Sequence, residues 1–323
     1  LCGHDVSEGE MKVKRTHFQR IPEIASTYSI VAMDIDAKEI GAAVQSHFFS
    51  VAPAVLWVEP GTGAVATQSV VNRQFGPDGL MMLASGLDAA QTLKELLDDD
   101  PGEAFRQVAV LDIRGDSAAH TGTSCVREAG HRTGKYFSVQ ANMMLSNTVW
   151  AAMEEAFLSQ TGTLAERMLS ALQAAEAAGG DIRGKQSAGM KVVKTEPTGS
   201  IAGDTLVDLR VEDHRDPLGE LGRLLSLNTG YALLEKGDTA MEQKDISRAM
   251  DCYQRARDLL GGNPEALYWH GVALLESGEV TQGLDLLRPL FEQQPNWLEM
   301  TKRLPESGLA SFDIIELMKQ SQR

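Results

Sequence analysis

Cysteine is almost missing from this 323-residue chain: Cys2, Cys125 and Cys252 are its only three, and no pair has CxxC spacing. That argues against a disulfide framework and gives no basis for a structural zinc site. Long apolar runs are missing too. None approaches the roughly 18 residues of a membrane-spanning helix, so no membrane partner is expected. Residues 1–26 are mixed and polar and lack the apolar stretch of a signal peptide, which makes the cytoplasm the expected location. Positive charge is in short supply, with 30 Lys and Arg against 45 Asp and Glu and a net charge of −15. Such a chain repels phosphate backbones, so nucleic acid is not expected as a general partner. Residues 226–323 hold 10 basic and 15 acidic side chains, so the excess is spread along the chain as a solvating surface, not gathered into an acidic tail.

What is present is enough apolar side chain, 43%, for real cores, and a length that suits about two domains. Tyr28–Met33 is β-branched and aromatic and predicts a strand, with a turn at 34–39 and a hairpin partner at Ile40–Gln45. Further strands are predicted at Ala54–Val58 and Gly63–Ser69. Gly76-Pro77-Asp78 signals a helix start, and helices are predicted over 78–85 and 88–98, the second capped by Asp88. Gln107–Ile113 and Ser117–Thr121 form a second hairpin around Arg114-Gly115-Asp116, and Tyr136–Gln140 is another strand. Helices over 148–159 and 163–178 follow, the latter ending at Gly179-Gly180, and strands near 189–194 and 205–211 close the run. This order predicts an α+β domain of two antiparallel sheets with helix pairs outside, a four-layer αββα sandwich; element order alone also allows a generic α+β domain.

The last hundred residues read differently. Gly237 and Gly271 stand 34 residues apart, the tetratricopeptide period, and Ala249 and Gly283 repeat that spacing. Asn263-Pro264 separates the two repeats, Gln294-Pro295 ends the second, and a capping helix is predicted near 311–320. Tyr253, Tyr268 and Trp269 fall at or beside packing positions and are expected in the core. Two repeats are few for a free-standing solenoid, so this all-α module is expected to dock on the α/β part or on another subunit.

Four segments resemble, in order, the domain-of-unknown-function family 1028: Thr27-Tyr-Ser-Ile-Val-Ala, Gly63-Ala-Val-Ala-Thr-Gln, Gly179-Gly-Asp-Ile-Arg-Gly-Lys-Gln-Ser-Ala and Val207-Asp-Leu-Arg-Val-Glu-Asp-His. Some members also carry an extra C-terminal module. The resemblance implies the αββα fold of the N-terminal-nucleophile (Ntn) hydrolases over residues 27–225, with 1–26 as a leader or upstream segment and 226–323 as the tetratricopeptide-like domain. It implies a nucleophile that is the first residue of the mature chain and a small or linear amide as substrate, with no cofactor. The nucleophile's own α-amino group, which titrates near pH ~8, takes its proton. Thr27 is the candidate. In relatives this Thr often follows an initiator Met or a cleaved leader. Here 26 residues precede it, so activity requires their removal by autolysis at Ser26–Thr27, by a protease, or by a start closer to Thr27; Met11 is one candidate start.

Ser29 shares a strand face with Thr27 and either assists proton transfer or fills a hydrogen-bonded position. Thr67 and Gln68 end a strand of small residues that allows close approach of a ligand or of another strand, and Gln68 is a candidate oxyanion donor. Asn72 is a further amide donor or a turn residue. Asp181, Arg183 and Gln186 form the strongest polar loop: Arg183 clamps a substrate carboxylate with Asp181 orienting it, or the two make a structural ion pair. His47 with Asp34 is a conceivable base–orienter pair. Asp213-His214 suggests a metal-dependent hydrolase, but lacks further ligands at recognisable spacing, so no metal is expected. Two functions compete ahead of that reading. One is an amidohydrolase acting through Thr27. The other is a non-catalytic scaffold whose helical repeats bind a protein partner or mediate self-association.

Overall fold

The structure, a computed structural model, describes residues 24–25 and 27–321. The leader expected over 1–26 therefore lies outside the described residues except at 24–25, as does Cys2. In chain order the first elements are β1 (Ile24–Ala25), β2 (Thr27–Asp34), β3 (Glu39–Ser46), α1 (Ala52–Val55), β4 (Leu56–Glu59), β5 (Gly63–Val70), α2 (Phe75–Ala84), α3 (Ala89–Asp98), β6 (Arg106–Asp112), β7 (Ser117–Thr121), β8 (Gly130–Gly134), β9 (Phe137–Ala141), α4 (Val149–Ser159), α5 (Leu164–Ala177), β10 (Ser187–Lys194), α6 (Ile201–Asp204) and β11 (Thr205–Val211). Helices follow to the end: α7 (Pro217–Glu242), α8 (Ile246–Leu260), α9 (Pro264–Glu276), α10 (Val280–Gln293), α11 (Pro295–Arg303) and α12 (Ile314–Gln320).

The strands form two antiparallel sheets. One is five-stranded, β1-β5-β6-β7, with β4 also on β5; the other is six-stranded, β11-β10-β3-β2-β9-β8. Val31, Met33, Ile40 and Val44 of the larger sheet pack against Ala64, Ala66, Ala109 and Leu111 of the smaller one. On its other face the larger sheet meets α4 and α5 through Tyr28, Ile30 and Ala32. The smaller sheet meets α2 and α3 through Val65, Val108 and Val110. Strands covered on both faces need apolar or small residues at successive positions, and β2 and β3 accordingly run without polar alternation.

The helices on these faces begin where the sequence provides caps. Asp88 and Gln91 exchange side-chain bonds with each other's backbone N–H at the start of α3, and Thr163 and Glu166 do the same for α5. Each such box is worth about 1 kcal/mol. Several elements differ from the sequence-based expectation. Pro53, whose fixed φ suits a first helical turn, makes Ala52–Val55 a single turn of helix, and the strand expected from Ala54 begins only at Leu56. The short polar strand β8 carries no hydrophobic signal and exists through its pairing with β9. Pro295, at the first turn of α11, opens a further helix after the second helix pair.

One helix serves both halves. Leu218, Leu221 and Leu225 of α7 are buried with Val207 and Met190 of the larger sheet, while its Leu233, Leu234 and Ala240 pack with Ala249 and Tyr253 of α8. The expected boundary between 225 and 226 thus falls inside a continuous helix. The glycines at 34-residue spacing each lie under a large side chain of the next helix: a Cβ would come within 2.6 Å of the Tyr253 ring at Gly237 and of Leu287 at Gly271.

His270 on α9 is buried, stacks on Tyr253 at 5.8 Å and has Nδ1 3.4 Å from an Arg257 guanidinium nitrogen. Burial, then that guanidinium, push its imidazole down to about 4. The unfolded chain takes up this proton first as pH falls, from its ordinary value of ~6.5. The group's stabilisation is therefore complete above pH ~6.5 and is lost as pH falls through about 4. Thermal melts between pH ~6.5 and ~4 are expected to decline more steeply in the native protein than in His270→Gln. Parallel curves would contradict this assignment.

Candidate active site

The chain crosses from one sheet to the other just before Thr27. Ile24 and Ala25 pair with Val70 and Ser69 of β5, whereas Thr27 opens β2 in the larger sheet, opposite Ser46 of β3. Thr27 is fully buried and lies on the same face of β2 as Ser29 and Val31, toward the smaller sheet. Its carbonyl accepts from three donors: the Asn142 backbone N–H at 3.0 Å, Gln68 Nε2 at 3.2 Å and Asn142 Nδ2 at 3.3 Å.

These donors belong to a buried ladder of amides between the sheets. Ser29 Oγ donates to Gln68 Oε1 at 2.7 Å and accepts from Gln140 Nε2 at 2.6 Å. Gln68 Nε2 donates to Gln107 Oε1 at 2.7 Å, and Asn142 Nδ2 donates to the same oxygen at 2.9 Å. Gln107 Nε2 in turn donates to Thr121 Oγ1 and to the carbonyls of Ala141 and Gly130. The line ends at His131, whose Nδ1 lies 2.8 Å from Thr121 Oγ1 and whose imidazole is held below its usual pKa by burial and by His120. Gln68, Gln107, Gln140 and Asn142 are each at most 1% exposed. A buried amide with every polar atom engaged is rigid, and leaving one unpaired costs free energy, so the ladder fixes where the Thr27 carbonyl sits.

Of the residues singled out in the sequence, Thr27, Ser29 and Gln68 meet in this ladder. Gln68 donates to carbonyls already there, so it orients Thr27 in this state. Thr67 is on the opposite face of β5, toward α2 and α3, where its hydroxyl donates to the Asn72 carbonyl at 3.2 Å. Asn72 Oδ1 closes a turn by accepting from the Gln74 N–H. Neither of these two reaches the ladder from that face.

Asp181, Arg183 and Gln186 form a second group at the Thr27 end of the larger sheet. The Asp181 carboxylate is buried and takes two bonds from the Arg183 side chain, at 2.9 and 3.1 Å, and one from the His47 N–H. The Gln186 N–H donates to the carbonyl of Ser46, the residue opposite Thr27, and its side chain donates to Asp213. His47, Lys185, Gln186, His214 and Arg215 border an open cavity of about 730 Å³ there. Asp34 sits at the hairpin turn, where it caps Asp36 and Ala37, so the hairpin's length separates it from His47. Asp213 and His214 engage Gln186 and the Asp216 N–H respectively.

Sequence reasoning missed Gln107, Gln140 and Asn142. Their signal was an amide side chain within or just after an otherwise apolar strand.

The family model that matches the chain is described as "Family of unknown function (DUF1028)" and spans residues 27–221. Among solved structures, the crystal structure of protein SPO2555 from Silicibacter pomeroyi, described with the same family, is similar at 32% identity and a TM-score of 0.58. That similarity covers 63% of this chain and 86% of the other. No curated protein matches.

Proposed function

The chain belongs to the family of unknown function DUF1028, and on that premise we propose that it is an Ntn-type amidohydrolase in which Thr27, freed of the residues before it, attacks the carbonyl carbon of an amide. The reading takes the two-sheet half as an Ntn-type αββα sandwich and the helix pairs beyond it as tetratricopeptide-like repeats. One observation carries it. Thr27 stands at the crossing between the two sheets, its carbonyl clamped by three N–H donors of a buried amide ladder. Two of those donors are side-chain amides, added to the main-chain bond that continues the pairing of β2 with β9.

Maturation is then the first turnover. The Thr27 hydroxyl adds to the Ser26 carbonyl carbon, the C–N bond breaks, and the proton passes to the Thr27 nitrogen. Water hydrolyses the ester, leaving a Ser26 carboxylate and a free Thr27 amine. That amine, with a pKa of ~8, takes the hydroxyl proton in later cycles and hands it to the leaving nitrogen of the substrate. Water again releases the acyl group. Ser29 and Gln68 hold positions in the ladder, with Ser29 the hydroxyl next along the strand face.

The test is a chain produced as Met-Thr27, with the Met removed by the host, assayed on acyl anilides. The value of kcat/KM is expected to rise with pH through ~8, Thr27→Ser to retain turnover, and Thr27→Ala to lose about a thousandfold or more. Turnover that survives Thr27→Ala ends this proposal.

A further inference from the structure

The smaller sheet has an edge whose occupant changes if the chain matures at Thr27. β5 is paired with β6 from Gly63 to Ser69 on one side. On its other side β4 covers Gly63–Ala66 and β1 covers Ser69 and Val70. We propose that the Ser69–Val70 edge, held by residues 24–25 in this structure, is the acyl-side subsite for an extended peptide, so that the amide cleaved is the end of a short β-strand. This deepens the Thr27 reading and rests on it for chemistry, though not for binding.

The chain's own leader is the template. Ala25 pairs with Ser69 and Ile24 with Val70, antiparallel, and Thr27 follows two residues after Ala25. A peptide acyl group laid on the same edge in the same direction puts its second and third residues on Ser69 and Val70. At ~3.3 Å per residue, its terminal carbonyl then reaches Thr27. Strand addition of this kind draws affinity from main-chain hydrogen bonds.

The receiving edge is held by contacts that do not involve the leader. Arg106 Nη1 donates to the Val70 carbonyl at 2.6 Å, and the Arg106 guanidinium is itself fixed by a nearly buried ion pair with Asp100 at 2.6 Å. The Thr67 hydroxyl on the Asn72 carbonyl and the Asn72 side chain on the Gln74 N–H set the turn that ends β5. β5, β6 and β7 pair with one another without β1. β4 blocks the rest of the edge, which limits an incoming strand to a few residues and protects against open-ended pairing.

The probe is the acetylated, amidated hexapeptide of residues 21–26, Ile-Pro-Glu-Ile-Ala-Ser. It is titrated into isotope-labelled protein that begins at residue 27 and carries Thr27→Ala, so that binding is read without turnover. Saturable shifts of the Ser69 and Val70 amides are expected, with about tenfold or greater weakening when the Ile24 and Ala25 nitrogens of the peptide are methylated. The full chain, with its leader seated, is expected to show no such shifts. Shifts elsewhere only, or binding indifferent to N-methylation, overturn the proposal. In parallel, the native protein starting at Thr27 is given the hexapeptidyl anilide and acetyl-seryl anilide. A kcat/KM about tenfold or more in favour of the peptide supports the subsite, and equal values overturn it. Peptide binding at Ser69–Val70 without turnover of either anilide would sink the hydrolase reading and leave the edge standing as a peptide site.

Discussion

Gln68→Leu is expected to cost about 3 kcal/mol of folding stability and to abolish maturation at Thr27. Leucine roughly fills the volume but removes both ends of an amide that joins four partners: Ser29 Oγ, Gln107 Oε1 and the carbonyls of Thr27 and Gln140. Some of these keep other partners. Gln107 Oε1 retains Asn142, and the Thr27 carbonyl retains two donors. The Ser29 hydroxyl loses its acceptor in a site with no exposure. A buried group left unpaired costs about 1–3 kcal/mol, and each lost bond about 1 more. Urea denaturation measures the total. The double variant with Gln107→Leu is expected to lose less than the sum of the singles, because each removes a partner of the other. A loss below ~1 kcal/mol for Gln68→Leu would mean that the ladder is not a coupled unit.

Gly41→Ala is expected to be comparably severe, at about 2–4 kcal/mol, for a steric reason. Gly41 lies in β3 between β2 and β10. A Cβ there would stand 2.6 Å from the Lys191 carbonyl oxygen and 2.9 Å from Met168 Cε of α5. The methionine tip can turn aside, but the carbonyl belongs to the ladder that pairs β10 with β3, and moving it disturbs the row leading to Ser46, opposite Thr27. The gain from replacing glycine by alanine in a strand, below ~1 kcal/mol, is too small to offset this. A thermal midpoint unchanged within error would show that α5 and β10 can separate freely.

Much of this architecture was legible in the chain. The hairpins around 34–39 and 114–116 and the cap at Asp88 are local devices, each written within a few residues. Hairpin order predicted antiparallel sheets but also allowed a generic α+β domain, and the two separate sheets are seen only in the structure. The polar ladder was not legible, because its members come from β2, β5, β6 and β9 and the residue after it, and their adjacency exists only once two sheets face each other. Gln45 shows why a simple pattern would not have sufficed. It too is a glutamine in an apolar strand, yet it lies on the face carrying Tyr28, toward the helices, and its buried amide engages no partner among the described residues. Thr67 was similarly ambiguous: strand periodicity put it and Gln68 on opposite faces, and only the packing of Val65 on α2 and α3 decided which face carried the ladder.

The claim that Thr27 becomes the first residue of the working protein is tested most directly by intact mass and N-terminal sequencing. The chain expressed from Met11 is compared with its Thr27→Ala counterpart. The account predicts a protein beginning at Thr27 for the native sequence and an uncut chain for the variant. An uncut native chain that nevertheless hydrolyses amides, or a variant cut at the same bond, would contradict it.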